Sequence, residues 1–161
     1  MMKTIAIGVL GLTLVASGAA AQTAVEQAKI LRDFERSVAD YTQRDSCLAG
    51  LPEAGAAVPA PKIFTLPVAM VFRQMIARAV AERDGVAAIR GVGIPHSVAV
   101  LKPFPADELY EFPRALSDTL PLLPAPLEYR LIGNDLVLRD TSQDVIVGVL
   151  RDALGAAVVV R

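Results

Sequence analysis

Few residues in this 161-residue chain have side chains of a type that does chemistry. His96 is the only histidine and Cys47 the only cysteine. An imidazole titrates near neutrality and suits a general base, so His96 with a carboxylate such as Asp140 would be the pair for a small hydrolase. His96 stands between Pro95 and Ser97 in a proline-rich stretch, and no nucleophile is patterned beside it. Cys47 follows Asp45 and Ser46 without any motif of a cysteine protease or redox pair, which leaves a buried thiol or a link between subunits. The run Asp140-Thr141-Ser142-Gln143-Asp144, with Asp135 shortly before it, has oxygen ligands of the kind calcium takes. It lacks the central glycine and closing glutamate of a calcium loop, and Asp and Ser also make turns by bonding the local backbone. We therefore read the run as a turn. One histidine without a cysteine partner does not fit zinc. Gly91-Val92-Gly93 leads into Ile94-Pro95 rather than a helix N-terminus, so it does not match a phosphate loop. No cofactor and no metal are expected from these residues.

The segments that must hold such residues begin with a leader. Lys3 is a positive start, Ile5 to Val15 is an apolar stretch of 11 residues, and Ala19-Ala20-Ala21 is a small-residue cleavage pattern before Gln22. The apolar stretch falls well short of the roughly 20 residues that span a bilayer. The expectation is an exported protein, periplasmic or secreted, with no stable membrane span after the signal peptide 1–21 is removed. Cleavage would leave 140 residues, enough for one domain without disulfides. The net charge of −1 gives no basic face for nucleic acid, and Glu82 and Asp84 dilute the one Arg-rich stretch, Arg73 to Arg90. The chain has no tryptophan and 5% aromatic residues, which argues against sugar-binding or base-stacking platforms.

Hydrophobic spacing predicts the elements. Ala24, Ala28, Leu31, Phe34, Val38 and Tyr41 recur at intervals of three and four and predict a helix over Thr23 to Arg44, within an N-terminal unit 22–50. Its charged faces offer Arg36–Asp40 and Asp40–Arg44 pairs. Residues 51–62, with Pro52, Gly55, Pro59 and Pro61, read as a linker. Residues 63–161 read as an α+β core that forms one domain with the first helix. Thr65 and Pro67 mark the start of a second helix ending at Gly85, with Val68, Val71, Phe72, Met75, Ile76, Ala79 and Val80 on its inner face. Seven prolines between Gly91 and Pro126 exclude long elements there. That stretch allows a short strand over Ser97 to Leu101 and a helical turn or two over Arg114 to Leu120. The rest is expected to wrap the core and bury Leu101, Phe104, Leu109, Phe112, Leu116, Leu120, Leu122 and Leu123. Leu127, Tyr129 and Leu131 alternate with Glu128 and Arg130 as in a half-buried strand. Gly133-Asn134 turns the chain into Leu136 to Arg139. A turn over Asp140 to Asp144 leads to an apolar third strand, Val145 to Leu150, and Ala156 to Val160 is left as an edge strand or tail. The fold class is α+β: two N-terminal helices, a proline-rich connecting segment and a small C-terminal antiparallel β-meander.

Two stretches carry a resemblance, Ile63-Phe64-Thr65-Leu66-Pro67-Val68 leading to Val71-Phe72-Arg73, and Leu127-Glu128-Tyr129-Arg130 through Gly133 and Asp135–Asp140 to Ile146-Val147. They resemble a group of uncharacterised exported bacterial proteins that have a similar first helix ending in a tyrosine, here Tyr41, and a proline-rich middle. This chain is shorter than such proteins around Leu51 to Lys62. The resemblance implies a small α+β fold and export, and carries no activity.

These readings point first to a non-enzymatic periplasmic module that binds an envelope protein or a small ligand. One alternative is the His96–Asp140 hydrolase. The other is an envelope structural protein that forms homo-oligomers through Leu31, Phe34, Val38 and Tyr41, because a narrow apolar stripe packs equally well on the chain's own second helix or on another subunit.

Overall fold

The computed structural model describes residues 16–48, 60–82, 98–105 and 111–155. It contains helix α1 (Ala16–Leu48), helix α2 (Leu66–Glu82), the single helical turn α3 (Arg114–Ser117), and strands β1 (Leu127–Ile132), β2 (Asp135–Asp140) and β3 (Val145–Leu150). The strands form one antiparallel sheet in the order β1-β2-β3, so the chain has the expected α+β architecture with a C-terminal meander. Gly133, at φ +57°, occupies the first central position of the β1–β2 turn, where a β-carbon would be crowded.

β2 lies between two strands and is covered on both faces, which explains why Leu136-Val137-Leu138 reads as an unbroken apolar run. Leu127, Leu131, Leu136, Leu138, Val147 and Leu150 face the helices and meet Phe34, Val38, Phe72 and Ile76. Val137, Ile132 and Ile146 face the other way and form a second small cluster with Val98 and Phe104. Helix α2 buries the face its spacing predicted: Val68, Val71, Phe72, Ile76 and Ala79 are buried, and Met75 and Val80 pack half-buried against them.

α1 is longer than expected, and its stripe is buried only in part. Ala24, Val25 and Ala28 are exposed, and packing starts at Ile30 and Leu31. The reason is length: a 33-residue helix extends about 50 Å, whereas a six-residue strand covers about 20 Å. Arg36 pairs with Asp33, 2.9 Å away, rather than with Asp40.

The proline-rich segment departs most from expectation. No strand forms over the described part of Ser97 to Leu101. The backbone instead meets β3 from the end of that segment onward, where Leu101 N–H donates to the Ile146 carbonyl, Ile146 N–H to that of Lys102 and Phe104 N–H to that of Asp144. Pro103, which has no N–H to give, forms an isolated bridge opposite Val145. Phe104, Leu116 and Leu120 are buried as expected, and Phe112 and Leu123 half-buried. Leu101 and Leu122 are 43% and 91% exposed, contrary to expectation. Flanking prolines and the contacts of their neighbours fix the backbone there, so these two side chains point outward. Leu109, most of the 51–62 linker and residues 156–161 lie outside the described residues.

The ladder shifts register between Leu138 and Arg139, so that Gly148 stands opposite Leu138 and Val147 enters the helix-side core. A β-carbon on Gly148 would lie 3.2 Å from Leu138 Cδ1 and 3.3 Å from the Phe64 ring. Gly148→Val is expected to destabilise the fold by about 1–3 kcal/mol through overpacking. Urea melts should also show that Phe64→Leu costs less in the Gly148→Val background than alone, and strict additivity would contradict the contact.

Candidate functional site

Of the residues the sequence singles out, His96 lies outside the described residues, and Cys47 falls in the last turn of α1, where the backbone alone is described. Asp140 is fully buried at the end of β2. Its Oδ2 accepts from the Tyr41 hydroxyl at 2.9 Å, and its Oδ1 accepts from the Ser142 hydroxyl at 2.6 Å and from the N–H groups of Ser142 and Gln143 at 2.8 and 3.4 Å. Burial pushes this carboxyl up, but the bonds from Ser142 and Tyr41, with the two N–H groups, outweigh it and hold the group below the usual aspartate range. A carboxylate held that low has little basicity near neutrality, so Asp140 closes the β2–β3 turn and ties α1 to it. The turn reading of 140–144 stands, and Asp144 at φ +57° completes it.

The stripe considered for self-association is used within the chain. Phe34 and Val38 are 1% and 2% exposed, Leu31 and Tyr41 pack half-buried against the same core, and the Phe34 ring lies 4.7 Å from that of Phe72. Of the two packings open to a narrow stripe, the one on the chain's own helix is adopted. Phe34 and Val38 are therefore enclosed, while Leu31 and Tyr41 keep part of their surface in water.

Two features that the sequence did not mark as a site meet on β1. On the face away from the helices, Glu128 takes two bonds of 2.8 Å from Arg130 and one of 2.9 Å from Arg139, which stands opposite it on β2. Arg139 also reaches Asp144 at 2.7 Å and stacks 4.8 Å above the Phe104 ring. The Arg130 bonds, helped by Arg139, hold the Glu128 carboxyl below its ordinary value against the opposing effect of burial. Burial lowers the affinity of the Arg139 guanidinium for its proton, but Asp144 and Glu128 more than compensate, so its pKa rises.

A shallow open groove of about 290 Å³ runs along the edge of β1, lined by Phe112, Ser117, Pro121, Leu122 and Leu123 and by the strand residues Leu127, Glu128, Tyr129 and Arg130. The Tyr129 ring stacks with Phe112 at 6.0 Å, its hydroxyl donates to the Pro121 carbonyl at 3.0 Å, and burial pushes its phenol up strongly. Of the titratable acids that line the groove, Tyr129 is thus pushed up and Glu128 held low, and among the described residues no three His, Cys, Asp or Glu side chains stand close enough to hold a metal.

The backbone of β1 completes the site. Thr141 N–H donates to the Pro126 carbonyl, which makes 126 and 141 a hydrogen-bonded pair. Alternation along an antiparallel ladder then turns the backbone groups of 128, 130 and 132 toward β2 and those of 127, 129 and 131 outward. Leu127 N–H, on the outer side, donates to the Pro124 carbonyl. No backbone group among the described residues bonds the outward N–H and C=O of Tyr129 and Leu131. The arrangement suits binding: an open strand edge, an apolar groove and a charged pair side by side. Its one signal in the sequence is Leu122 held among prolines ahead of an alternating strand.

Comparison with known proteins returned no matching family model, no matching curated protein and no matching solved structure.

Proposed function

We propose that this protein is an exported, non-enzymatic interaction module of the cell envelope that engages a partner protein through the β1 edge and the groove beside it. The observation that carries this reading is Leu122, 91% exposed at the mouth of an apolar groove that borders an open strand edge. A large aliphatic side chain left in water beside a docking-competent backbone fits a protein contact. A volume of about 290 Å³ on an open surface is at the lower end for small-molecule pockets, which bury most of their ligand, so a protein partner fits better than a small ligand. Export is supported by the leader, and the described residues 23–29 that follow it are exposed or half-buried, with core contacts among the described side chains beginning at Ile30. No helix among the described residues is long and apolar enough to cross a membrane.

The test is photo-crosslinking in the exporting cell from a benzophenone side chain at position 122, with position 78, exposed on α2, as the control. A discrete protein adduct from 122 and not from 78 is expected. Leu122→Asp, with the crosslinker moved to position 117, should abolish the adduct while changing stability by less than about 0.5 kcal/mol. Equal adducts from both positions, or none from 122, would overturn the reading.

A further inference from the structure

We infer that the partner seated on the β1 edge is a second copy of this chain, paired antiparallel through β1 about a two-fold axis at Tyr129. This rests on the β1 edge being the recognition surface, as proposed above, and adds the identity of what it recognises. The strand itself carries the argument. Leu127-Glu128-Tyr129-Arg130-Leu131 is chemically symmetric about its centre. When two such strands run antiparallel with Tyr129 opposite Tyr129, Glu128 of each copy faces Arg130 of the other and Leu127 faces Leu131. No register shifted by one residue keeps both opposite-charge pairs, and a parallel pairing in register would set like against like.

The hydrogen-bonding phase agrees with the charge pattern. Both the hydrogen-bonded and the non-hydrogen-bonded pairs of an antiparallel ladder can lie on a two-fold axis, and the phase of the strand decides which kind Tyr129 makes. The bonds from Thr141 to Pro126 and from Leu127 to Pro124 place the outward set at 127, 129 and 131. Tyr129 of each copy then donates to and accepts from Tyr129 of the other. Leu131 N–H of each donates to the Leu127 carbonyl, which is free to accept because the Leu127 N–H alone is spent on Pro124.

The groove supplies the apolar part. It runs along the open edge of β1 and past Phe112 and Tyr129 on the helix side, so the two-fold axis brings the two grooves against each other and takes both exposed Leu122 side chains out of water. On the opposite face, Glu128 and Arg130 are 28% and 22% exposed at the side chain, accessible enough to reach across the seam while retaining their bonds within the copy. The other sheet edge is poorly placed for the same role, because residues 101–104 already bond to the first half of β3. The result is a continuous six-stranded sheet across two copies.

The test uses the protein as purified from the cells that export it. Sedimentation velocity from micromolar to millimolar concentration should show the mass rise from one chain to two, and Leu122→Asp should weaken this association at least tenfold. Amide exchange measured by NMR at both ends of that range should show Tyr129 and Leu131 slowing with concentration in the wild type, with no slowing in Leu122→Asp. A single-chain mass at every concentration overturns the inference, as does a dimer in which the Tyr129 and Leu131 amides exchange at a constant rate. The crosslinking from position 122 separates this failure from that of the broader reading. An adduct with a different protein, accompanied by a monomer in solution, leaves the interaction module in place and removes only self-pairing, whereas no adduct and a monomer remove both.

Discussion

Phe72→Ala is expected to lower the stability of the domain by about 4 kcal/mol, the largest effect of any single truncation we foresee. Phe72 is fully buried, and its ring lies 4.7 Å from Phe34 on α1, 5.4 Å edge-on from Phe64 and 6.3 Å from Tyr129 on β1. It therefore touches both helices' shared interface and the sheet. Removing it opens a cavity where these elements converge and forfeits ring–ring contacts of about 0.5–1.5 kcal/mol each. A domain of this size has only about 5–15 kcal/mol in total, so the variant should melt roughly 12–20 °C lower. Phe72→Leu, which keeps most of the volume, should lose less than half as much. Chemical denaturation of the three proteins provides the measurement. A loss under about 1 kcal/mol for the alanine variant would mean that α1 and α2 do not share this core.

Asp140→Ala is expected to cost about 3 kcal/mol at neutral pH, and the deficit should shrink in acid. The variant removes the charged acceptor of four hydrogen bonds, from the Tyr41 and Ser142 hydroxyls and two N–H groups; a bond to an ionised group is worth about 1.5–3 kcal/mol, and less where water replaces it, as at the exposed Ser142 and Gln143. The pH dependence follows from the lowered pKa of the folded carboxyl. Because the folded value lies below the unfolded one, near about 3.9, the ionised carboxylate contributes its full stabilisation above that value. The contribution is lost as pH falls through the lowered folded value, since the folded state must then take up a proton that the unfolded chain has already bound. Glu128, lowered by Arg130, adds to the acid sensitivity of the wild type and the variant alike, so it cancels in the difference. Urea melts of both proteins between pH 7 and pH 2 should converge toward the acid end. A gap of constant size would show that the stabilisation does not depend on ionisation. Tyr41→Phe, which removes one of the four bonds, should give a loss of about 1 kcal/mol with the same trend.

The elements were legible where a repeating pattern faced a single neighbour. The inner face of α2 was readable residue by residue, because each apolar side chain at 3.6-residue spacing has the same place to go. The meander was readable because Gly133, the Asp140–Asp144 turn and the alternation of β1 are local signals, each set by a few consecutive residues. A stripe on α1 was equally visible, but how far along it the core extends depends on the size of what lies beneath. The pairing of Arg139 with Glu128 across two strands and the Tyr41–Asp140 tie, 99 residues apart, had no local signature.

The sequence by itself therefore determined the class of the fold, the order of its elements, the helix faces and the turns, since propensity and periodicity act over a few residues and need no knowledge of distant segments. It also carries the symmetric Leu127–Leu131 strand. The tertiary structure alone decided that Phe34 and Val38 pack inside the chain, that Asp140 is spent on Tyr41 and Ser142, and that Leu122 remains in water. It alone set the phase of β1, with Tyr129 and Leu131 turned outward, because that phase is fixed by which residue of a distant strand lies opposite, a matter of register that no local spacing encodes.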